Sequence, residues 1–67
     1  MNDDALKAAV NQFLRHVSGT AQRELEKAVR SGVASGKLRF NEACSTGVTL
    51  SIEKLGFDVT IYGNIKL

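Results

Sequence analysis

The spacing of apolar residues changes near Gly36, and this change constrains the fold more than any other feature of the chain. Before Gly36, apolar residues recur every three or four positions, which is typical of amphipathic helices. After Gly36 they recur at every second position, which is typical of strands with one buried face. The sequence therefore predicts an α+β fold in which helical segments come first and a β-hairpin follows.

A first helix is predicted over residues 3–17. Its apolar residues lie on one face at helical spacing and are Leu6, Val10, Phe13, Leu14 and Val17. Asn2 is a suitable N-cap, and Asp3 and Asp4 in the first turn suit the positive end of the helix dipole. We therefore expect an amphipathic helix of about four turns.

A second helix is predicted over residues 21–35, because Ser18-Gly19-Thr20 combines turn-forming residues with a new N-cap at Thr20. The buried side of this helix would consist of Ala21, Leu25, Ala28, Val29 and Gly32. Gly36 can adopt the left-handed conformation that often ends a helix. A link of three residues implies that the two helices form an antiparallel pair or meet at a tight corner.

Two strands with one apolar face each are predicted at about residues 44–53 and 57–67. A turn of four residues, 53–56, would place Ile52 opposite Phe57 and bring the apolar residues of both strands to one face. Both helices would pack on that face. The predicted architecture is therefore ααββ, with two N-terminal helices on one face of a C-terminal antiparallel hairpin.

The predicted layers differ in width, which indicates a homodimer. Two helices side by side cover about 20 Å, whereas two strands cover about half of that. Residues 1–67 form a single small domain whose only cysteine, Cys44, cannot make an internal disulfide, so self-association is the expected source of extra stability. We predict that the edge of the second strand pairs with a second copy to give a four-stranded sheet, with helix packing as the alternative mode. The predicted interface residues are Asp58, Thr60, Tyr62 and Asn64.

Basic residues on the second helix and after it allow an alternative interpretation, weak nucleic-acid binding. The candidate phosphate contacts are Arg23, Lys27, Arg30, Lys37 and Arg39. Glu24 precedes Lys27 by three residues and Glu26 precedes Arg30 by four, so ion pairs within the helix are expected to neutralise much of this charge. A solvent-exposed face is therefore the favoured interpretation. The net charge of +2 is too small to indicate nucleic acid by itself.

No pattern of catalytic, metal-binding or phosphate-binding residues accompanies these segments. His16 is the one histidine, and no nucleophile or carboxylate lies at a spacing that suits acid–base chemistry with it. Cys44 is predicted as a small residue facing the core, with a redox role left open. Asp3 and Asp4 are adjacent and point in different directions on a helix. The sequence therefore favours a protein that is not an enzyme and has no cofactor or metal.

The chain as a whole resembles a family of short bacterial proteins classed as a domain of unknown function. The resemblance lies in Phe13-Leu14-Arg15, in Thr20 to Arg30, in Ser35-Gly36-Lys37-Leu38, in Leu55-Gly56 and in Gly63-Asn64-Ile65-Lys66-Leu67. One departure is Ala21, where a serine able to form a capping box with Glu24 would be expected. The family has no assigned activity, so the resemblance supports the fold and nothing more.

The sequence also predicts the cellular location of the protein and the kind of partner that it binds. The acidic start of the chain and the lack of a long apolar run predict a cytoplasmic protein with no membrane contact. The leading functional prediction is a small homodimeric protein-interaction module of the bacterial cytosol, which binds a protein partner of unknown identity. Nucleic-acid binding is the alternative, and an enzyme is third.

Overall fold

The computed structural model describes the whole chain, Met1 to Leu67. One helix, α1, spans Asp3–Ala34. Two strands follow, β1 at Ala43–Ile52 and β2 at Phe57–Lys66, and a short 3₁₀ turn at Glu53–Leu55 connects them. The fold is therefore α+β, with one helix followed by an antiparallel hairpin.

The predicted pair of helices, 3–17 and 21–35, is wrong, because α1 runs without a break through Ser18-Gly19-Thr20. Val17 and Ala21 are four residues apart, so the apolar stripe keeps its phase across the predicted turn. At about 100° per residue, the apolar residues from Leu6 to Val29 stay within an arc of about 160° along the helix. A single glycine costs a helix only about 1 kcal/mol, which is too little to end one whose apolar face continues.

The two ends of α1 follow the predicted capping. The Asn2 side chain accepts hydrogen bonds from the backbone N–H groups of Asp4, at 2.9 Å, and Ala5, at 3.2 Å. Gly36 follows the helix with a φ of 81°, the left-handed conformation expected there. Thr20, predicted to cap a second helix, lies in the middle of α1 and caps nothing.

The hairpin has the predicted register. Ile52 pairs with Phe57 and Cys44 pairs with Ile65, and the strand limits differ from the predicted ones by at most one residue. The connection is a four-residue turn that ends at Gly56, whose φ is 60°. Every second residue of each strand therefore lies on the same face of the hairpin.

The hairpin lies alongside the helix. A helix of 32 residues is about 48 Å long, and the molecule measures 50 × 22 × 16 Å, so the chain folds back after α1. Leu38 belongs to the segment that reverses direction. It packs against Gly32, where a Cβ would lie 2.9 Å from the Leu38 Cδ1 atom, and its N–H donates to the Gly32 carbonyl at 3.1 Å.

The predicted difference in layer width is wrong for the same reason as the predicted pair of helices. One helix and one two-stranded hairpin are each about 10 Å wide, so the helical layer does not overhang the sheet. The chain has two layers of equal width, with one helix for each hairpin. The expectation of a dimer must therefore depend on other features of the molecule.

Candidate interaction site

The apolar side of the helix and the apolar side of the hairpin meet at Leu25 and Val29, and we call the two sides together the inner face. On α1 it comprises Leu6, Val10, Phe13, Leu14, Val17, Ala21, Leu25, Ala28 and Val29. On the hairpin it comprises Cys44, Val48, Leu50, Ile52, Phe57, Val59, Ile61, Ile65 and Leu67. Leu25 lines one groove with Ile65 and another with Val48, so the two layers meet at these positions.

No residue of the inner face is buried, and none of the other residues is buried either. Phe13 is 57% exposed and Ile52 is 49% exposed. The accessible surface is 6073 Å², whereas a compact monomer of this mass exposes about 4,100 Å². The radius of gyration is 15.7 Å, compared with about 11 Å for a compact chain of this length. One helix and two strands therefore leave apolar surface that the chain alone does not cover.

Two open grooves lie between the layers. One has a volume of about 360 Å³ and is lined by Leu25, Val29, Ile65 and Leu67 together with polar residues of the helix. The other, of about 280 Å³, runs from Leu25 across the middle of both strands. Apolar atoms form most of the lining of both grooves. Their chemistry therefore suits apolar side chains of another polypeptide.

The outer edge of β2 has free backbone hydrogen-bonding groups. The Leu67 N–H donates to the Glu42 carbonyl at 3.5 Å, so these two residues, which continue the register, form a hydrogen-bonded pair. In an antiparallel ladder every second pair is of this kind, so the odd-numbered residues of β2 bond to β1. The even-numbered residues direct their N–H and C=O groups away from β1. These residues are Asp58, Thr60, Tyr62, Asn64 and Lys66.

The side chains of the hairpin are consistent with this assignment of hydrogen-bonded and non-hydrogen-bonded pairs. The Thr49 and Thr60 hydroxyls lie 3.0 Å apart, as expected for a pair without backbone hydrogen bonds, in which the side chains approach more closely. The four interface residues predicted from the sequence therefore lie together on one open edge. Lys66 belongs to the same edge. It was not among the predicted interface residues, although the alternation of β2 extends to it.

The five predicted phosphate contacts are divided between the helix and the loop after it. Arg23, Lys27 and Arg30 lie on α1, and Lys37 and Arg39 lie between α1 and β1. Of the two expected ion pairs, Glu26 with Arg30 forms at 3.4 Å and Glu24 with Lys27 does not form. The Arg30 side chain remains 79% exposed. The helix therefore keeps more unpaired positive charge than the sequence suggested.

The remaining reactive side chains lie on different elements. His16 is exposed on α1, and Cys44 is half-buried on the predicted face of β1, where its thiol is free. No three His, Cys, Asp or Glu side chains lie close enough together to hold a metal ion. The groups that the structure does bring together are the apolar side chains of the inner face and the free backbone groups of the β2 edge.

Comparisons with known proteins give a family for this sequence. The model of DUF6494, a family of unknown function, matches the chain over residues 1–67, which confirms the resemblance described above. No curated protein and no solved structure matches the chain significantly. The long helix α1 lacks a stretch that is apolar enough to cross a membrane.

Proposed function

The chain belongs to DUF6494, whose description assigns no activity, and we propose that it is a small homodimeric protein-interaction module without catalytic activity, acting in the bacterial cytosol. The observation that carries this proposal is an accessible surface of 6073 Å² in a chain with no buried residue. A second copy is the partner of matching chemistry, because it presents the same apolar inner face and the same open strand edge.

The exposed area is sufficient for a permanent dimer. Two separate chains expose about 12,000 Å², whereas a compact dimer of the same mass exposes about 6,800 Å². Association therefore has about 5,000 Å² to bury, which lies at the upper end of the range for obligate homodimers, about 2,000–5,000 Å². Chains in such dimers often have no stable folded monomer.

Pairing through the outer edge of β2 is the mode that this geometry supports. It satisfies the free backbone groups of the edge and produces a four-stranded sheet about 20 Å wide. A two-fold axis perpendicular to the sheet keeps both helices on one side, and two helices side by side are also about 20 Å wide. Both layers of the dimer are therefore equally wide, and the inner faces of the two chains form one continuous apolar surface.

The mass in solution tests the homodimer. Light scattering and sedimentation equilibrium, over about 1 to 100 µM protein, are expected to give twice the chain mass of 7.2 kDa. Because unfolding then includes dissociation, we also expect the thermal midpoint to rise by about 5 °C for each tenfold increase in protein concentration. A mass of 7.2 kDa at every concentration, with a constant thermal midpoint, would reject the proposal.

Weak nucleic-acid binding is the second candidate function. Its support is the exposed charge of α1, where Arg23 and Lys27 form no ion pair. Titration of labelled short DNA and RNA at two salt concentrations tests it, because contacts to phosphates weaken steeply as salt rises. The double variant Arg23→Ala/Lys27→Ala is the control and is expected to reduce both the affinity and its salt dependence. No binding at low salt would exclude this function.

A further inference from the structure

We propose a specific register for the homodimer, in which β2 pairs with its copy about a two-fold axis at Tyr62 and Asp58 of each chain lies beside Lys66 of the partner subunit. This inference rests on the proposed homodimer and adds the contacts that select one arrangement. Three features of the chain support it: the phase of the backbone groups on the β2 edge, the positions of two charges, and a glycine on the inner face.

The backbone groups of β2 restrict how the strand can pair with its copy. Its even-numbered residues direct their N–H and C=O groups outward, so even-numbered residues must meet even-numbered residues across the axis. With Tyr62 on the axis, Thr60 meets Asn64 of the partner subunit, and Asp58 meets Lys66 of the partner subunit. This register overlaps the two strands over residues 58–66, which are nine of the ten residues of β2.

The two charges on this edge select the register. Asp58 and Lys66 lie four residues on either side of Tyr62, on the same face of β2, and neither forms an ion pair in its own chain. Opposite charges that face each other across strands are stabilising, and like charges are destabilising. An axis at Asp58 or at Lys66 would bring like charges together, whereas an axis at Tyr62 produces two opposite-charge pairs.

The edge of β1 has no comparable feature. Its outward-directed residues are Ala43, Ser45, Gly47, Thr49 and Ser51, and none of them is charged. Nothing on that edge distinguishes one register from another, and a strand without such features is prone to slip. The self-complementary charges of β2 therefore make it the better interface for a second copy.

Gly63 supports the same register from the inner face. In its own chain a Cβ at this position would have no heavy atom within 4 Å, and its φ is not positive. Neither crowding nor backbone conformation within the chain therefore explains the glycine. In the proposed register Gly63 lies opposite Ile61 of the partner subunit, and Ile61, at 56% exposed, is the most exposed residue of the hairpin's inner face. The glycine leaves space for that side chain.

Charge reversal tests the register. Asp58→Lys and Lys66→Asp each place like charges at both symmetric contacts, and the double variant D58K/K66D restores opposite charges. At low salt we expect each single variant to raise the dimer Kd by about tenfold or more, and the double variant to return to within about threefold of the original protein. Both side chains are exposed and unpaired in the isolated chain, so these changes act on association.

Matched controls reverse two charges that this register leaves without a partner. Glu53→Lys and Lys54→Glu alter the turn of the hairpin and are expected to leave the dimer Kd unchanged. If the Asp58 and Lys66 variants remain as tightly dimeric as the original protein, the register is wrong while the homodimer stands. If the double variant fails to restore the Kd, direct pairing of Asp58 and Lys66 is rejected. A monomeric original protein would reject both the register and the proposed function.

Discussion

Replacing Thr60 with proline tests whether the outer edge of β2 forms the dimer. Proline lacks a backbone N–H, and within sheets it is tolerated only where that group is not needed for pairing. The Thr60 N–H points away from β1, so the substitution removes no hydrogen bond between the two strands of one chain. In the proposed dimer, however, it removes the bond from each chain to Asn64 of the partner subunit.

The expected loss of dimer affinity in Thr60→Pro follows from the two-fold symmetry of the proposed dimer. Two backbone hydrogen bonds are lost per dimer, at about 1 kcal/mol each, and the proline ring obstructs the approach of the second strand. We therefore expect the free energy of association to weaken by at least about 2 kcal/mol, which corresponds to an increase of about 30-fold in the dimer Kd.

Thr49→Pro is a closely matched control. Thr49 and Thr60 are paired across the hairpin, and their hydroxyls lie 3.0 Å apart, so either proline removes the same side-chain hydrogen bond. Each proline also replaces an outward-directed N–H at the edge of a strand. The two variants differ in which edge they alter, so a difference between their dimer Kd values identifies the edge that pairs.

Sedimentation velocity over a dilution series measures the two Kd values, and far-ultraviolet circular dichroism at the highest concentration, where each variant is dimeric, checks that the variant folds. We expect Thr60→Pro to raise the dimer Kd by about 30-fold and Thr49→Pro to leave it nearly unchanged. The opposite result would place the interface on β1. If neither substitution changes the Kd, strand pairing is refuted and the dimer forms through its helices.

Two further substitutions test the helix, and both are measured by urea unfolding at one fixed protein concentration. Asn2→Ala removes the acceptor for two N–H groups at the start of α1 and should lower the free energy of unfolding by about 1 kcal/mol. Gly19→Ala should raise it by up to about 1 kcal/mol, because a Cβ there meets only the Arg23 side chain, at 3.5 Å, and α1 is continuous. A clear loss of stability in Gly19→Ala would contradict the continuous helix.

The hairpin could be predicted closely because two local features determine it. The alternation of apolar residues defines the face of each strand, and a shift of one residue would move all of them to the other face. The four-residue turn before Phe57 then places Ile52 in register with it, as observed. Gly56 supplies the positive φ with which this turn ends.

The helix could not be predicted from residue types alone. Ser18-Gly19-Thr20 contains residues that favour turns, but intrinsic propensity is weak and a continuous apolar face overrides it. The spacing of four residues from Val17 to Ala21 indicates one continuous helix, because a break would have shifted the apolar stripe to another side. The phase of the apolar pattern was therefore the better guide to this helix.

The candidate site was predictable in part. Alternation along β2 identifies Thr60 and Tyr62 as members of one face, and the structure keeps them there. The alternation does not show which backbone groups of β2 point away from β1, because that depends on which residue pairs of the hairpin are hydrogen-bonded. The hydrogen bond between Leu67 and Glu42 shows which residue pairs are hydrogen-bonded within the hairpin. It follows that the backbone groups of Thr60 and Tyr62 lie on the free edge of β2.

The continuous helix also changes the reason for expecting a dimer. Two helices on two strands would overhang the sheet, whereas one helix on two strands covers it evenly. The need for a partner arises instead because one helix and two strands leave every inner-face side chain at least partly exposed. A second copy at the β2 edge adds a lateral neighbour to the sheet and to the helical layer at once. In the proposed dimer the hydrophobic core therefore lies between two chains rather than within one.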